Sequence, residues 1–368
     1  MPPRFVVLIP VLDDWESLGL LIAGIDRRVG RARAALEIIA IDDGSVSEPS
    51  ARALTPRVHP DSCVERISVL RLALNLGHQR AIAVGLASVA RRTDLRGAIV
   101  MDGDGEDRPE DLPRLIAEAA AHDDRVIFAR RAQRSEGIVF RTGYFLYKFI
   151  FRALTGKEIS FGNFSLIPMA AVRRLAHMPE LWNNLPAAIV RSRLRYRAID
   201  TTRGVRYAGV SRMNLPSLIV HGLSAMSVYA DIVFVRVVIA ACAVSAVAVT
   251  TMAAVAAIRI ATDLAVPGWA TTVFGDLCIV LVLALVIVIA TTFMVLAART
   301  ARPFVPIADT GIFVAEWLPI AERNLEARIK PASVPEWREM PVSPAPAAAA
   351  HASAPVAAAA VPMANSDV

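Results

Sequence analysis

Three carboxylates follow an apolar run at alternating positions: Asp102, Asp104 and Glu106, with glycines between them. Like charges this close repel one another, so a positive group is expected among them. In proteins Mg²⁺ commonly takes one or two carboxylates and keeps its other positions for water and substrate phosphates. The stretch 97–116 therefore predicts a site for Mg²⁺ or Mn²⁺ that handles a phosphate-bearing ligand.

The acids that come next have a structural explanation. Asp107 precedes a predicted helix and Glu110 stands three residues later, as in a capping box, with Pro109 in the first turn. We assign these residues and Asp111 to the helix start. Asp107→Asn is then expected mainly to disturb that start, whereas Asp104→Asn should abolish activity with little loss of folded protein.

Polar residues also end two other predicted strands. The run IIAI is followed by DDGS at 42–45, which suits either a turn or a ligand site. Gly77 precedes a predicted helix whose amino end could receive a phosphate, although helix packing explains such glycines equally well. We interpret His78 as an exposed loop residue rather than a catalytic base.

Strands and helices alternate over the part of the chain that holds these residues. Strands are predicted at 5–9, 36–41, 67–72, 98–101 and 125–129, and helices at 14–28, 79–91 and 109–121. The alternation predicts an α/β fold whose mostly parallel sheet is covered on both faces. In such sheets ligands bind beyond the carboxyl ends of the strands, which is where the acids fall.

Two segments, 237–258 and 277–298, hold no charged residue. Each has 22 residues, about 33 Å as a helix, enough to cross a bilayer core of about 30 Å. Arginines are dense before the first segment and recur after the second, whereas the stretch between them holds one Arg and two Asp. The positive-inside rule then places both ends of the chain in the cytoplasm and the connecting loop outside.

The composition argues against several other classes. The net charge is +6, but few aromatic residues interleave with the basic ones, so an anionic membrane surface is favoured over nucleic acid. Two of the three cysteines fall in apolar runs, so no disulfide framework is expected. No Gly-x-Gly-x-x-Gly follows the first strand, which disfavours a nicotinamide-dependent dehydrogenase.

Seven short stretches together resemble one family: VLIPVLDDWESL, IIAIDDGS, NLGHQRAIAVG, MDGDGEDRPEDL, FARR, FGNFSLIP and RYAGVSRMN, in this order. They are similar to family 2 glycosyltransferases of the GT-A fold, a Rossmann-like domain. Within these they resemble the two-span bacterial polyprenyl-phosphate glycosyltransferases related to dolichol-phosphate mannose synthase. The resemblance covers roughly residues 4–300. It implies an inverting transfer from a nucleotide sugar to polyprenyl (undecaprenyl) phosphate, with Mg²⁺ or Mn²⁺, at the cytoplasmic face of the inner membrane.

The resemblance also implies residue roles. The catalytic residues would be Asp104, Arg131 and Arg206, and the metal ligands Asp102, Asp104 and Glu106. The sequence departs from the family pattern at Leu12, which replaces an aromatic residue, at Glu106, which replaces Gln, and at Arg212, which replaces Lys. The nucleotide sugar would contact Pro10, Leu12, Asp14, Ile41, Asp43, Asp102, Gly103, Arg131, Arg206 and Arg212.

A further departure concerns the acceptor. Asn163 stands where the family often has Asp, and an amide cannot serve as a general base. A hydroxyl acceptor needs a base to take its proton, whereas a lipid phosphate is already an anion. Asn163 therefore favours a phosphate acceptor, with Arg141 and Lys148 as further candidates to contact it. Those two lie in an aromatic and basic stretch with the spacing of an interfacial helix.

The predicted organisation has five parts: a cytoplasmic GT-A domain at 1–214, a juxtamembrane interfacial helix at 215–235, two transmembrane helices with a short external loop at 236–300, a cytoplasmic segment at 301–330 and a disordered Pro/Ala-rich tail at 331–368. The spans contain few polar residues and could pack between protomers of a homo-oligomer.

Three alternatives remain open. The nearest is a membrane-anchored family 2 transferase that acts on a glycan or another hydroxyl acceptor. A processive polysaccharide synthase is disfavoured, because no Gln-x-x-Arg-Trp motif is present and two spans make a poor export channel. A non-catalytic membrane partner with the same fold is opposed by the intact acids and arginines, and failure to bind nucleotide with metal would favour it.

Overall fold

The computed structural model describes residues 2–31, 33–49, 54, 62–131, 138–159, 161–208, 215–262 and 268–322. These residues belong to one compact unit, Met1–Asn324. Arg212 and the predicted tail at 331–368 lie outside the described residues.

The described residues contain eight strands in one sheet, ordered β7-β5-β6-β4-β1-β2-β3-β8. Strands β1 to β4 run parallel, and so do β5 and β7, whereas β6 is antiparallel to β4 and β5 and β8 is antiparallel to β3. The strand bounds are β1 Arg4–Val11, β2 Ala35–Asp42, β3 Val64–Leu72, β4 Gly97–Val100, β5 Val126–Arg131, β6 Ser165–Pro168, β7 Tyr196–Thr201 and β8 Val314–Glu322.

Helices cover both faces of this sheet, as the sequence predicted. Alternate residues of β1 point to opposite faces, so that Val7 and Ile9 belong to one core cluster and Val6 and Leu8 to the other. The helix bounds are α1 Trp15–Val29, α2 His78–Val89, α3 Leu112–Ala121, α4 Ile138–Thr155, α5 Met169–Ala176, α6 Leu185–Arg191, α7 Leu215–Ser227, α8 Ala230–Ala261, α9 Trp269–Thr300 and α10 Pro306–Asp309. Short 3₁₀ turns lie at Pro109–Asp111, Pro179–Trp182 and Thr310–Phe313.

The strands and helices predicted before residue 131 are confirmed, with ends that differ by a few residues. The apolar runs of the central strands arise from their burial on both faces, and all eight residues of β2 are buried. Among them Glu37 needs a partner, and Arg92 contacts it at 2.7 Å.

Helices α8 and α9 are the two candidate membrane spans. Each has 32 residues, about 48 Å of helix. The two helices pack against each other, yet only 6% of the most apolar stretch of 18 residues in each helix is buried. Side chains such as Ile239 and Phe293 are more than half exposed. Apolar surface of this extent is normally covered by lipid or by protein, and the length and composition of both helices suit a bilayer.

The strand β8 lies after both candidate spans in sequence, and its place in the sheet was not predicted. It pairs with β3 along the edge of the sheet, and Leu318 and Ile320 pack against the core. The segment 301–330 is therefore not separate from the α/β domain, because its residues 314–322 complete the sheet. Phe304 and Phe313 also pack on Trp182.

Candidate functional site

Two loops at the carboxyl edge of the sheet are joined through their backbones. The loop 102–107 follows β4 and the loop 202–208 follows β7. Gly204 donates its N–H to the carbonyl of Glu106, and Tyr207 donates to the carbonyl of Asp104, both at 2.9 Å. A Cβ at Gly204 would overlap the carbonyl oxygen of Gly105, whose own φ is 90°. Glycine is needed at both positions, and their close approach brings the arginines of one loop to the acids of the other.

Asp104 and Asp14 share one arginine. Arg206 contacts Asp104 Oδ2 at 3.2 Å and Asp14 Oδ2 at 3.4 Å. Burial raises the pKa of Asp104, and the carboxylates of Asp102 and Glu106 raise it further. One guanidinium thus leaves the local negative charge incompletely compensated, which is an environment that favours an additional cation.

Glu106 has two arginine partners. Arg203 forms a two-pronged contact with its carboxylate, at 2.7 and 3.0 Å, and Arg131 reaches it at 3.3 Å. Paired N–H donors of this kind match the oxygens of carboxylates and phosphates alike. The positive charge that the sequence predicted among the acids is thus supplied in part by the chain's own arginines.

The capping-box assignment of Asp107 is wrong. Asp107 is 4% exposed, accepts the Asp102 N–H at 2.9 Å and contacts Arg131 at 3.1 Å. The N-cap position of the 3₁₀ turn is Arg108 instead, and Glu110 pairs with Arg28 at 3.1 Å. Burial, together with the carboxylate of Asp102, raises the pKa of Asp107 to about 7. The capping-box pattern is local in sequence, whereas Arg131, which contacts Asp107, is the last residue of β5.

Asp102 lies beside a short chain of polar side chains. His78 Nε2 lies 3.3 Å from Asp102 Oδ1 and 3.0 Å from Asn163 Nδ2. Gln79 Nε2 donates to Asn163 Oδ1 at 3.0 Å. The prediction that His78 is exposed is confirmed, since its side chain is 43% exposed, but the residue is the first of α2 rather than part of a loop.

The acids fit a divalent cation only in part. Among the described residues, no three His, Cys, Asp or Glu side chains are grouped so that they could hold a metal by themselves. Asp102 Oδ1 is nevertheless a buried oxygen whose contact with His78 Nε2, at 3.3 Å, does not have hydrogen-bond geometry. Asp102 and Asp104 therefore fit a cation that takes its remaining ligands from substrate and water, whereas the carboxylate of Glu106 is occupied by arginines.

The DDGS stretch is occupied by contacts within the fold. Both oxygens of Asp43 accept backbone N–H groups, from Leu76 at 2.7 Å and Gly77 at 2.9 Å. Asp42 accepts the Ser45 N–H at 2.8 Å. These bonds hold the loop ahead of α2 against the end of β2, and burial raises the pKa of Asp43. The stretch therefore shapes the edge of the site.

A cavity of about 150 Å³ opens between the acids and the segment before β6. Asp102, Glu106, Arg131, Asn163 and Thr202 are among the residues that line it. The cavity joins the arginine-paired acids to the amide of Asn163, so one ligand could contact both.

Residues 6–178 match the model of a known family, described as Glycosyl transferase family 2. The chain carries a domain of this family. The predicted family is thereby confirmed for these residues, and the structure itself confirms the predicted α/β sheet followed by two long apolar helices.

Relatives of this family 2 domain carry a common name, undecaprenyl-phosphate 4-deoxy-4-formamido-L-arabinose transferase. The protein from Yersinia enterocolitica serotype O:8 is 31% identical over 218 residues, 58% of this chain and 63% of the relative. The one from Klebsiella pneumoniae is 32% identical over 160 residues, 43% of this chain and 46% of the relative. The chain therefore spans less than two thirds of the length of these relatives.

Among solved structures, glucosyl-3-phosphoglycerate synthase from Mycobacterium tuberculosis, in complex with Mn²⁺, UDP and glucosyl-3-phosphoglycerate, is similar at a TM-score of 0.43. The two are 16% identical, and the match covers 64% of this chain and 80% of that one.

The structure brings most of the predicted site residues of the family 2 domain to one edge. Pro10 lies near the end of β1, and Leu12 directly follows that strand. Gly103 lies close to β1 as well, because a Cβ at Gly103 would be 3.2 Å from the side chain of Ile9. Ile41 is fully buried, so its side chain is not available to a ligand. Lys148, on α4, lies 3.8 Å from Glu158. Arg141 is also on α4, but its side chain is outside the described residues, as is all of Arg212.

Five residues of the site were not predicted to belong to it. Asp107 and His78 were interpreted otherwise, and Arg203, Gln79 and Tyr207 were not singled out from the sequence. Arg203 lies in the arginine-rich stretch before the first apolar segment, which was interpreted only as a topology signal. Gln79 and Asn163 form a hydrogen bond although they are 84 positions apart in the sequence, and no local pattern indicates this contact.

Proposed function

We propose that the protein is an inverting glycosyltransferase that moves a sugar from a nucleotide sugar to a polyprenyl phosphate at the cytoplasmic face of the inner membrane. The observation that carries the proposal is the edge of the family 2 domain where Asp102, Asp104, Arg131 and Arg206 meet beside Asn163. The names of the relatives support the acceptor class.

The donor would lie along the carboxyl ends of β1, β2 and β4, between Pro10, Asp14 and Gly103. Arg131, Arg206 and Arg212 would bind its diphosphate, a task for which guanidinium groups are well suited. Asp102 and Asp104 would hold the Mg²⁺ or Mn²⁺. When bound, the cation would neutralise charge that develops on the departing diphosphate.

The acceptor would enter from the membrane side. Tyr147 and Phe151 of α4 pack with residues of α7 and α8, so this part of the domain adjoins the first candidate span. Phe145, Leu146 and Phe149 of α4 are exposed, as are Ile219, Val220 and Leu223 of α7. An apolar surface that continues into a span suits the interface of a bilayer, where a polyprenyl chain resides.

The test is a transfer assay with the detergent-purified protein, labelled UDP-, GDP- and dTDP-sugars, and undecaprenyl phosphate, with Mg²⁺ or Mn²⁺ and with or without chelator. Label in the lipid phase that requires both cation and lipid phosphate is the expected result. Label on a glycan or another hydroxyl acceptor, with none on lipid phosphate, would overturn the acceptor assignment.

The assay also tests the assignment of Asp104. Asp104→Asn keeps an oxygen for the Glu106 N–H but loses the charge near Arg206, and we expect transfer to fall at least 100-fold, in the range of a lost charge-stabilising group. Glu110→Gln, which removes an exposed charge outside the site, should retain activity. Equal activity in Asp104→Asn and the unmodified protein would remove Asp104 from the site.

A further inference from the structure

A chain of hydrogen bonds fixes the orientation of the Asn163 amide. The backbone N–H of Leu185 donates to Gln79 Oε1 at 3.0 Å. Because a backbone N–H can only donate, this contact makes Oε1 the acceptor end of Gln79 and leaves Nε2 as its donor end. Gln79 Nε2 then donates to Asn163 Oδ1 at 3.0 Å. The Asn163 oxygen is thereby occupied, and its NH₂ group is turned the other way.

The start of this chain is set by the fold. Leu185 is the first residue of α6, where backbone N–H groups lack partners within the helix. Gln79 lies in the first turn of α2 and is 9% exposed, so its amide has little access to water. Reversing the direction of these hydrogen bonds would place the Gln79 NH₂ against the Leu185 N–H, so that two donors would face each other in a buried place.

The free end of the chain is the NH₂ group of Asn163. Asn163 lines the cavity, and the partner of its Nδ2 within the described chain is His78 Nε2 at 3.0 Å. An amide nitrogen carries two hydrogens, so one remains for a ligand. For the Asn163 NH₂ to donate to it, His78 Nε2 must be the accepting nitrogen of a neutral imidazole.

We infer that Gln79 is a positioning residue and Asn163 a specificity-determining one, which together select an acceptor that is already an anion. The inference rests on the proposed transfer for the identity of the reaction. An N–H donor in the lining of the cavity stabilises a phosphate oxygen but cannot take the proton of a hydroxyl group. The selection of an anion depends on the orientation of the Asn163 amide. A polar side chain at position 163 that presented an oxygen atom instead would not select an anion.

Two substitutions present oxygen at this point by independent routes. Asn163→Asp can still accept from Gln79 but replaces the NH₂ with a second oxygen. Gln79→Glu can accept from both Leu185 and Asn163, which brings the Asn163 oxygen to the place of its NH₂ group. Each should raise the KM for undecaprenyl phosphate about 10- to 100-fold, the range expected for losing one hydrogen bond to a charged group. The KM for the nucleotide sugar should change less than threefold, about the scatter of such comparisons.

Asn184→Asp is the matched control. Asn184 is also a buried amide next to Leu185, and its oxygen caps α6 by accepting the Ala187 N–H at 3.0 Å. Asp can accept the same bond, so the variant adds a carboxylate nearby without reversing Asn163. It should leave the KM for lipid phosphate unchanged. An equal rise in this control would mean that added charge, rather than amide orientation, weakens the acceptor.

Binding of farnesyl phosphate, measured by calorimetry on the detergent-solubilised full chain, separates this inference from the proposed transfer. If the unmodified protein binds farnesyl phosphate and the Asn163→Asp variant does not, the anion site stands even if no sugar is transferred. Retained nucleotide binding would show that the variant is folded. Unchanged acceptor affinity in Asn163→Asp, or no binding of farnesyl phosphate by the unmodified protein, would overturn the inference.

Discussion

Arginine side chains compensate the carboxylates at the carboxyl edge of the sheet. Arg206 lies between Asp14 and Asp104, and Arg131 between Glu106 and Asp107. The Arg206 pairs are partly exposed, so each contributes little to stability and can be exchanged at small cost. Asp107 is buried, so the contact of Arg131 with it would be costly to lose. A diphosphate offers guanidinium groups the same pattern of oxygens as a carboxylate, so a bound diphosphate can take over these arginine contacts. The carboxylates that lose an arginine would then need a cation to compensate their charge.

At Asp107, the balance of burial and charge leads to a pH-dependent prediction. The pKa of this carboxyl is raised to about 7 by burial and by Asp102, so the folded protein keeps a proton that the unfolded chain releases near pH 4. Unfolded chains then bind fewer protons between about pH 4 and 7, and the contribution of Asp107 to stability declines as pH rises through that window. Asp107→Asn should make the decline of the melting temperature across this range shallower.

The comparison is the melting temperature of both proteins at several pH values, with Glu16→Gln as the control because Glu16 is exposed on α1. Parallel pH profiles for Asp107→Asn and the unmodified protein would contradict the assignment. The same variant should lower transfer about tenfold, the effect of losing one charged contact, because an amide NH₂ would face Arg131 in place of the accepting oxygen.

The contrast between Asp104 and Asp107 shows what sequence can indicate at this scale. Alternating acids after a buried strand predict a charged site, and the position of Asp104 agrees with that. Asp107 satisfies the spacing of a capping box equally well, and its burial and its contacts with Arg131 and the Asp102 N–H distinguish the two roles. The orientation of Asn163 could not be predicted either, because Gln79 and Leu185 come from different helices.

Among the elements of the fold, the strands that sequence could predict are those buried on both faces. Strands β1 and β2 have continuous apolar runs, because helices cover them on both sides. Strand β8 lies at the sheet edge, contains Pro319 and exposes much of its length, so it lacks both an apolar run and strict alternation. Its partner β3 is more than 240 residues earlier in the chain, as the pair Arg66 and Glu322 shows.

Strand β8 should be required for the folded domain. A chain that ends after residue 303 would lose β8, leave the edge of β3 unpaired, and remove Phe304 and Phe313 from Trp182. We expect this truncation to aggregate on extraction and to lose activity, because an exposed strand edge promotes association. The control is a chain that ends after residue 330, which retains β8 and should remain monodisperse in size-exclusion chromatography. Similar behaviour of the two truncations would contradict a structural role for β8.

For the whole molecule, the pairing of β8 constrains the membrane topology. Strands β1 to β7 precede α8 and α9, β8 follows them, and all belong to one sheet. One sheet cannot be divided by a bilayer, so the chain must enter and leave the helical pair on the same side. The requirement is satisfied if α8 and α9 each cross the bilayer, and it is not satisfied if only one of them does. The distribution of arginines then favours the cytoplasm as that side.

Cysteine labelling tests this topology directly. In a background with Cys63, Cys242 and Cys278 replaced by Ala, Thr262→Cys would place a thiol at the end of α8, and Val46→Cys would place one on a loop of the domain that is 94% exposed. A membrane-impermeant maleimide should label Thr262→Cys in intact cells and Val46→Cys only after permeabilisation. The reverse pattern would place the domain outside, against the use of a cytoplasmic nucleotide sugar. Equal labelling of both positions in intact cells would mean that α8 does not place Thr262 and Val46 on opposite sides of the membrane. The apolar surface of α8 and α9 would then need a protein partner to cover it.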